Sequence, residues 1–205
     1  MPASSVSHLS KDEFAAFLKG CAAPHVKLFA ELKVATGART KHLLEAQWSQ
    51  VSFKRKQIDL NPVRNKVVPI GSLLESEESN KKRAIVPLND DVIELLAQAE
   101  AAALTNHIIE CAGQPIASIR KGFKAASERS GVHCTSGMLR HSAAVWMAEA
   151  GVSIFEIAQF LGHTDIKITY KVYARFMPDH LRNAAKALIW KADPEGDAIA
   201  DGASG

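Results

Sequence analysis

The spacing of apolar residues changes twice along this chain of 205 residues. Up to about residue 47 they recur every three or four positions, as on one face of a helix. Ser10 and Glu13 form S-x-x-E, a capping box in which each side chain satisfies the other residue's free backbone donor, so a helix opens there and runs to about Lys19. A second is predicted over HVKLFAELKVAT, after Pro24, and Gly37 stands where a left-handed cap would end it. Arg39 precedes a short helix over about 40–47. The period then drops to two. VSFKRKQIDL at 51–60, KVVPI at 66–70 and RAIVPL at 83–88 predict three short strands, with polar SLLESEESN as an exposed turn before the last. From Asn89 onward the period returns to that of helices. Asn89 and Asp90 cap VIELLAQAEAAAL, HIIE reads as a brief extended piece before GQP, and helices are predicted at about 116–129, 138–150, 154–161, 165–175 and 179–190. Ser153 and Glu156 repeat the capping box, and Gly131, Gly151 and Gly162 fall at the breaks. The pattern predicts an α+β fold, mainly α, with a small three-stranded antiparallel sheet. Residues 1–190 form one domain, followed by a tail over 191–205 with little to bury.

Composition narrows the class. At 47% hydrophobic and 23% charged residues the chain sits near the average for a globular domain. It has no run of about 18 apolar residues and no basic flank with an apolar core at its start, so neither a membrane span nor a secretory signal is expected. Cys21, Cys111 and Cys134 are odd in number and far apart, which argues against a disulfide framework or zinc site and for a reducing cytoplasm. The whole chain carries +3, and its last 14 residues hold four acids and no Lys or Arg, which leaves +7 on residues 1–191. That excess leans toward a polyanionic partner.

Four segments hold candidate chemistry. ATGARTKHLLEAQW places Arg39 after a Gly-containing turn. SNKKRAIVPL is a basic cluster leading into a strand. GMLRHSAAVWMAEAG puts Arg140 and His141 in the first turn of a helix. FLGHTDIKITYKVYARF has His163 just past a glycine and contains the chain's two tyrosines, Tyr170 and Tyr173. Each alone reads as an ordinary cap, solvated turn or core residue. Together, two Arg, a Lys, a His and a Tyr suit phosphoryl transfer. Guanidiniums bind nonbridging oxygens through bidentate, charge-assisted bonds, a phenol can serve as a nucleophile, and a Lys can protonate the leaving alkoxide. No carboxylate metal site is evident, so these cations take the place of Mg²⁺, and no metal or cofactor is expected.

The order and spacing resemble the catalytic domain of the tyrosine recombinases, the phage integrase family. TGAR at 36–39 with Trp48 is similar to the family's first-arginine box, and NKKRAIVPL at 80–88 to its β-hairpin lysine segment. MLRHSAAVWMAEAGVSIFEIAQFLGH at 138–163 resembles its second-arginine and histidine boxes, and KVYARFMPDHL at 171–181 its nucleophile box. The resemblance implies site-specific DNA recombination or integration through a 3′-phosphotyrosine. Arg39 and Arg140 would clamp the scissile phosphate, with Lys81 as general acid for the 5′-oxygen, His163 assisting and Tyr173 attacking. Lys82 would join them in contacting DNA. Tyr173 lies ten residues after His163 and Tyr170 only seven, so Tyr173 is preferred with Tyr170 as alternative. Lys66 and Lys82 are alternatives to Lys81. The partners implied are double-stranded DNA and other copies of the chain, as a tetramer on DNA joined through the helix at 178–190.

The chain departs from the pattern at Gly137, three residues before Arg140, where the family usually carries His. Glycine can neither donate to a phosphate nor take a proton, so a catalytically impaired DNA- or partner-binding domain of the same fold is the alternative function. His133 is a distant substitute, and His141, about 100° around the helix from Arg140, reads as structural. His42 replaces an acidic residue, and the acidic loop 71–79 lies near Lys81. Only about ten residues precede the first helix, so an N-terminal DNA-clamp domain is expected to be absent. A helix-turn-helix regulator would explain 151–173 but not TGAR or the basic hairpin, and type IB topoisomerases share the chemistry without these boxes.

Overall fold

The computed structural model describes residues 7–61, 85–177 and 188. The predicted strand 66–70, the acidic loop 71–79, Lys66, Lys81, Lys82, the helix at 178–190 apart from Leu188, and the tail 191–205 lie outside the described residues.

Helix α1 (Lys11–Gly20) opens on the capping box: the Ser10 hydroxyl accepts from the Glu13 N–H at 3.2 Å, and the Glu13 carboxylate accepts from the Ser10 N–H at 2.7 Å. Its C-terminus packs on α5 (Arg120–Ser130), where a Cβ on Gly20 would lie 2.5 Å from the Ala126 carbonyl oxygen, so only glycine permits this approach. Helix α2 (Pro24–Thr36) starts with proline, whose missing N–H costs nothing in the first turn. Fully buried Phe17 and Phe29 from these two helices pack on Phe123 of α5 at centroid distances of 5.1 and 5.7 Å.

Helix α3 (Thr40–Leu44) is shorter than predicted. The Ala46 carbonyl accepts from the Ile108 N–H and the Trp48 N–H donates to the Asn106 carbonyl, each at 3.0 Å, and these long-range bonds draw the chain out of the helix. The alternating run 51–60 folds back on itself as β1 (Val51–Ser52) and β2 (Gln57–Asp59), with Lys56 at φ 49° in the turn. β3 (Ile85–Pro87) pairs antiparallel with β2, placing Ile58 opposite Val86. The sheet is therefore three-stranded and antiparallel, in the order β1-β2-β3, but two of its strands come from one predicted run.

Asn89 caps α4 (Asp90–Ala101) by accepting from the Val92 N–H at 3.0 Å. The HIIE stretch leads into a hairpin of β4 (Glu110–Cys111) and β5 (Gln114–Pro115). The Ile116 N–H extends that hairpin by donating to the Ile109 carbonyl at 3.2 Å, so α5 begins at Arg120 rather than near residue 116. Thr135 caps α6 (Ser136–Glu149), the Ser153 box opens α7 (Ile154–Leu161), and Gly162 ends it at φ 65°. Asp165 caps α8 (Ile166–Tyr173), which tightens into a 3₁₀ turn over Ala174–Phe176.

The core has two parts. The larger gathers α1 to α5, the sheet and Leu139, and the smaller joins Ala144, Val145 and Ala148 to Ile157, Leu161 and Tyr173. Helix α6 belongs to both. The segment before α1 is fastened across it, with the Leu9 N–H donating to Ser142 Oγ at 2.8 Å and Trp146 Nε1 donating to the Leu9 carbonyl at 3.0 Å. No helix among the described residues is long and apolar enough to cross a membrane.

Candidate active site

The site lies on the seam between the two parts of the core and begins at the end of α2. Gly37 holds φ 57°, a conformation that favours glycine, and a Cβ there would sit 2.6 Å from Leu161 Cδ2 and displace that side chain. The turn it makes delivers Arg39, exposed, to the N-cap of α3. Beneath it lies Lys33, only 1% exposed, whose ammonium donates to the Ala38 carbonyl and to Thr40 Oγ1 at 3.2 Å. Burial pushes Lys33 down to about 7, helped by Arg140 and Arg39.

Arg140 spans the seam. One guanidinium nitrogen donates to the Gly37 carbonyl, and the other donates to the Leu161 carbonyl at 2.8 Å and meets His163 Nε2 at 3.0 Å. A guanidinium has only donors, so His163 Nε2 accepts. The proton of that ring then sits on Nδ1, which donates to Thr169 Oγ1 at 2.7 Å. Burial lowers Arg140 to about 10. Burial, then Arg140 and Arg39, lowers His163 to about 4, so the ring is neutral near pH 7.

Tyr173 ends α8 and is 2% exposed, on the same face as buried Thr169 one turn earlier, whereas Tyr170 is 63% exposed. Its hydroxyl lies 2.6 Å from His141 Nδ1. Burial raises the phenol, and the positive charge of Arg140 opposes that rise. His141 is lowered, first by burial and then by Arg140, His8 and Lys33.

Among the described residues, no ion pair offsets the positive charge here. The ion pairs among the described residues, Lys41–Glu45, Lys56–Asp90 and Lys124–Glu128, are solvent-exposed and involve none of Lys33, Arg39 or Arg140. An anion that contacts Arg39 and Arg140 would relieve the repulsion among these cations.

Of the residues expected from sequence, Arg39, Arg140, His163 and Tyr173 are gathered around this seam, while Lys81 and Lys82 lie outside the described residues. Gly137 is exposed in the first turn of α6, and a Cβ there would meet only Thr135 Oγ1, at 3.8 Å. His133 is exposed on the loop before α6, and His42 lines the crevice between Arg39 and Arg140. Two residues escaped the sequence. His141, read as structural, turns away from the guanidinium cluster but reaches the tyrosine hydroxyl. Lys33 sits within an amphipathic stretch where a lysine looks solvated. The apolar residues on either side of it, Leu32 and Val34, were its one visible signal.

The family model described as the phage integrase family matches residues 7–180. The chain belongs to that family. Among curated integrases, that of Escherichia phage 186 is 29% identical over 167 residues, covering 80% of this chain and 41% of its own length. The chain spans about half the length of the curated relatives it matches. The catalytic domain of bacteriophage HP1 integrase superposes with a TM-score of 0.64 at 23% identity, covering 89% of this chain and 95% of that one. A lambda integrase tetramer bound to a Holliday junction gives a TM-score of 0.59 at 20% identity, over 84% of this chain and 48% of that one. At these identities the structures establish the fold: a tyrosine-recombinase catalytic domain, mostly helical with a small antiparallel sheet.

Proposed function

We propose that this integrase-family domain cleaves and rejoins double-stranded DNA at specific sites through a 3′-phosphotyrosine. The observation that carries the proposal is the pair Arg39 and Arg140, with Lys33 beneath them and no ion pair to an acid among the described residues, beside a buried tyrosine hydroxyl. The structures of family relatives on DNA, such as the lambda integrase tetramer on its junction, support the choice of DNA as the polyanion.

In the proposed reaction Arg39 and Arg140 hold the nonbridging oxygens of the scissile phosphate and stabilise the charge that develops there. The Tyr173 oxygen attacks phosphorus, the bond to the 5′-oxygen breaks, and Lys81 gives that oxygen a proton. The anion raises the proton affinity of His163, whose Nε2 then changes from acceptor to donor toward the phosphate. Because Tyr173 is buried, DNA binding must open a path by which the phosphate meets the hydroxyl. Attack by a foreign 5′-hydroxyl reverses the step and joins new strands. Assembly as a tetramer through residues 178–190, and action in the cytoplasm at the nucleoid, complete the proposal.

Nicked duplexes of randomised sequence test it, because cleavage beside the nick frees a short fragment and traps the protein. The expected result is a covalent adduct that maps to Tyr173 by mass spectrometry and vanishes in Tyr173→Phe. An adduct formed equally by Tyr173→Phe would remove Tyr173 as nucleophile, and no adduct from the unchanged chain would refute the function.

A further inference from the structure

We infer that His141 is the group that takes the proton from Tyr173, an assignment that rests on Tyr173 being the nucleophile. A phenol is a poor nucleophile until it loses its proton, and that proton needs an acceptor within hydrogen-bond reach. Three residues before Arg140, where the family usually carries a histidine, this chain has Gly137, which can accept nothing. His141 Nδ1 lies 2.6 Å from the phenol oxygen. The two side chains approach from different helices, α6 and α8, which the smaller part of the core packs together.

The surroundings favour a neutral imidazole with a free lone pair. The groups acting on His141 are Arg140 on its own helix, His8 from the segment before α1, and Lys33 on α2. His163, before α8, is also within electrostatic range. All are cationic or neutral, and among the described residues none is a carboxylate that would hold a second proton on the ring. Arg140 meanwhile favours the phenolate, so the same guanidinium opposes charge on the base and supports charge on the nucleophile.

The proton balance closes. The Tyr173 O–H proton moves to His141 Nδ1, the phenolate forms its bond to phosphorus, and the 5′-oxygen leaves with a proton from Lys81. On rejoining, the incoming 5′-hydroxyl returns its proton to Lys81 and the departing Tyr173 oxygen recovers its own from His141.

Two measurements decide the assignment. The first is ¹⁵N NMR of histidine-labelled protein without DNA, with the His141 signals identified by their loss in His141→Asn. A proton on Nε2 and an accepting Nδ1 support the proposal; a proton on Nδ1, donated to the phenol, overturns it. The second is the rate of adduct formation against pH. Asn keeps an acceptor atom near the Nδ1 position but cannot take a proton. His141→Asn should react about 10²-fold or more slowly near pH 7, with the deficit narrowing about tenfold per pH unit as the phenol ionises unaided. An unchanged rate and pH profile in His141→Asn overturns the proposal. Absence of adduct from the unchanged chain overturns the proposed function and, with it, the role of His141; an adduct that forms at the same rate in His141→Asn overturns the role of His141 alone.

Discussion

Replacing Lys33 with methionine should stabilise the folded chain near neutral pH and destabilise it in alkali. Burial lowers this ammonium from 10.5 to about 7. Below pH 7 the folded and unfolded chains both carry the proton, and the whole cost of burying the charge is present. Between pH 7 and 10.5 the unfolded chain binds more protons than the folded one, so stability rises with pH. Above 10.5 both states are neutral and the cost vanishes. Integration gives a penalty of about 4 kcal/mol at pH 7, about 2 at pH 9 and less than about 1 at pH 10. Methionine removes this penalty at nearly equal volume. It also removes the donor to the buried Ala38 carbonyl and to Thr40 Oγ1, a loss of about 1–3 kcal/mol. Lys33→Met should therefore be more stable than the unchanged chain at pH 7 by about 1–3 kcal/mol, level near pH 9, and less stable at pH 10. Urea denaturation of both chains across that range reads the difference directly. A difference that does not change with pH, or a variant less stable at pH 7, would refute a buried and destabilised charge at this position.

Gly137→His should fold without penalty, changing stability by less than about 1 kcal/mol, because a Cβ there meets only Thr135 Oγ1 at 3.8 Å. It should raise the rate of adduct formation at least tenfold, read on the same nicked duplexes; an unchanged rate would mean that this position no longer bears on the chemistry. Ser142→Ala should cost about 1–3 kcal/mol in urea denaturation, because fully buried Ser142 is the acceptor for the Leu9 N–H. A loss under about 0.5 kcal/mol would show that this fastening of the N-terminal segment to α6 contributes nothing.

Much of the architecture could be read from the sequence because helix ends depend on near neighbours. The boxes at Ser10–Glu13 and Ser153–Glu156 and the caps at Asn89, Gly37 and Gly162 each involve residues within one turn, and all were legible. The hairpin within 51–60 was not, because alternation has the same period whether a strand runs on or folds back. Nor was the late start of α5, which depends on the Ile116 bond to Ile109 across the β4–β5 hairpin.

The candidate site divides in the same way. By itself the sequence supplied the residue types, their order and the spacing between Arg140, His163 and Tyr173, since a chain with these boxes resembles one family. Adjacent positions on a helix point about 100° apart, so no one-dimensional pattern could show that Arg140 would face Gly37 and Leu161 while His141 faced α8. The burial of Lys33 was equally hidden, because its depth is set by α6 and the TGAR turn closing over α2 rather than by anything in α2. Tertiary packing alone brought these distant segments onto one seam, where burial and mutual repulsion shift their protons. The reason is physical: caps and periodicity are short-range properties, whereas desolvation and charge coupling depend on which remote surfaces meet.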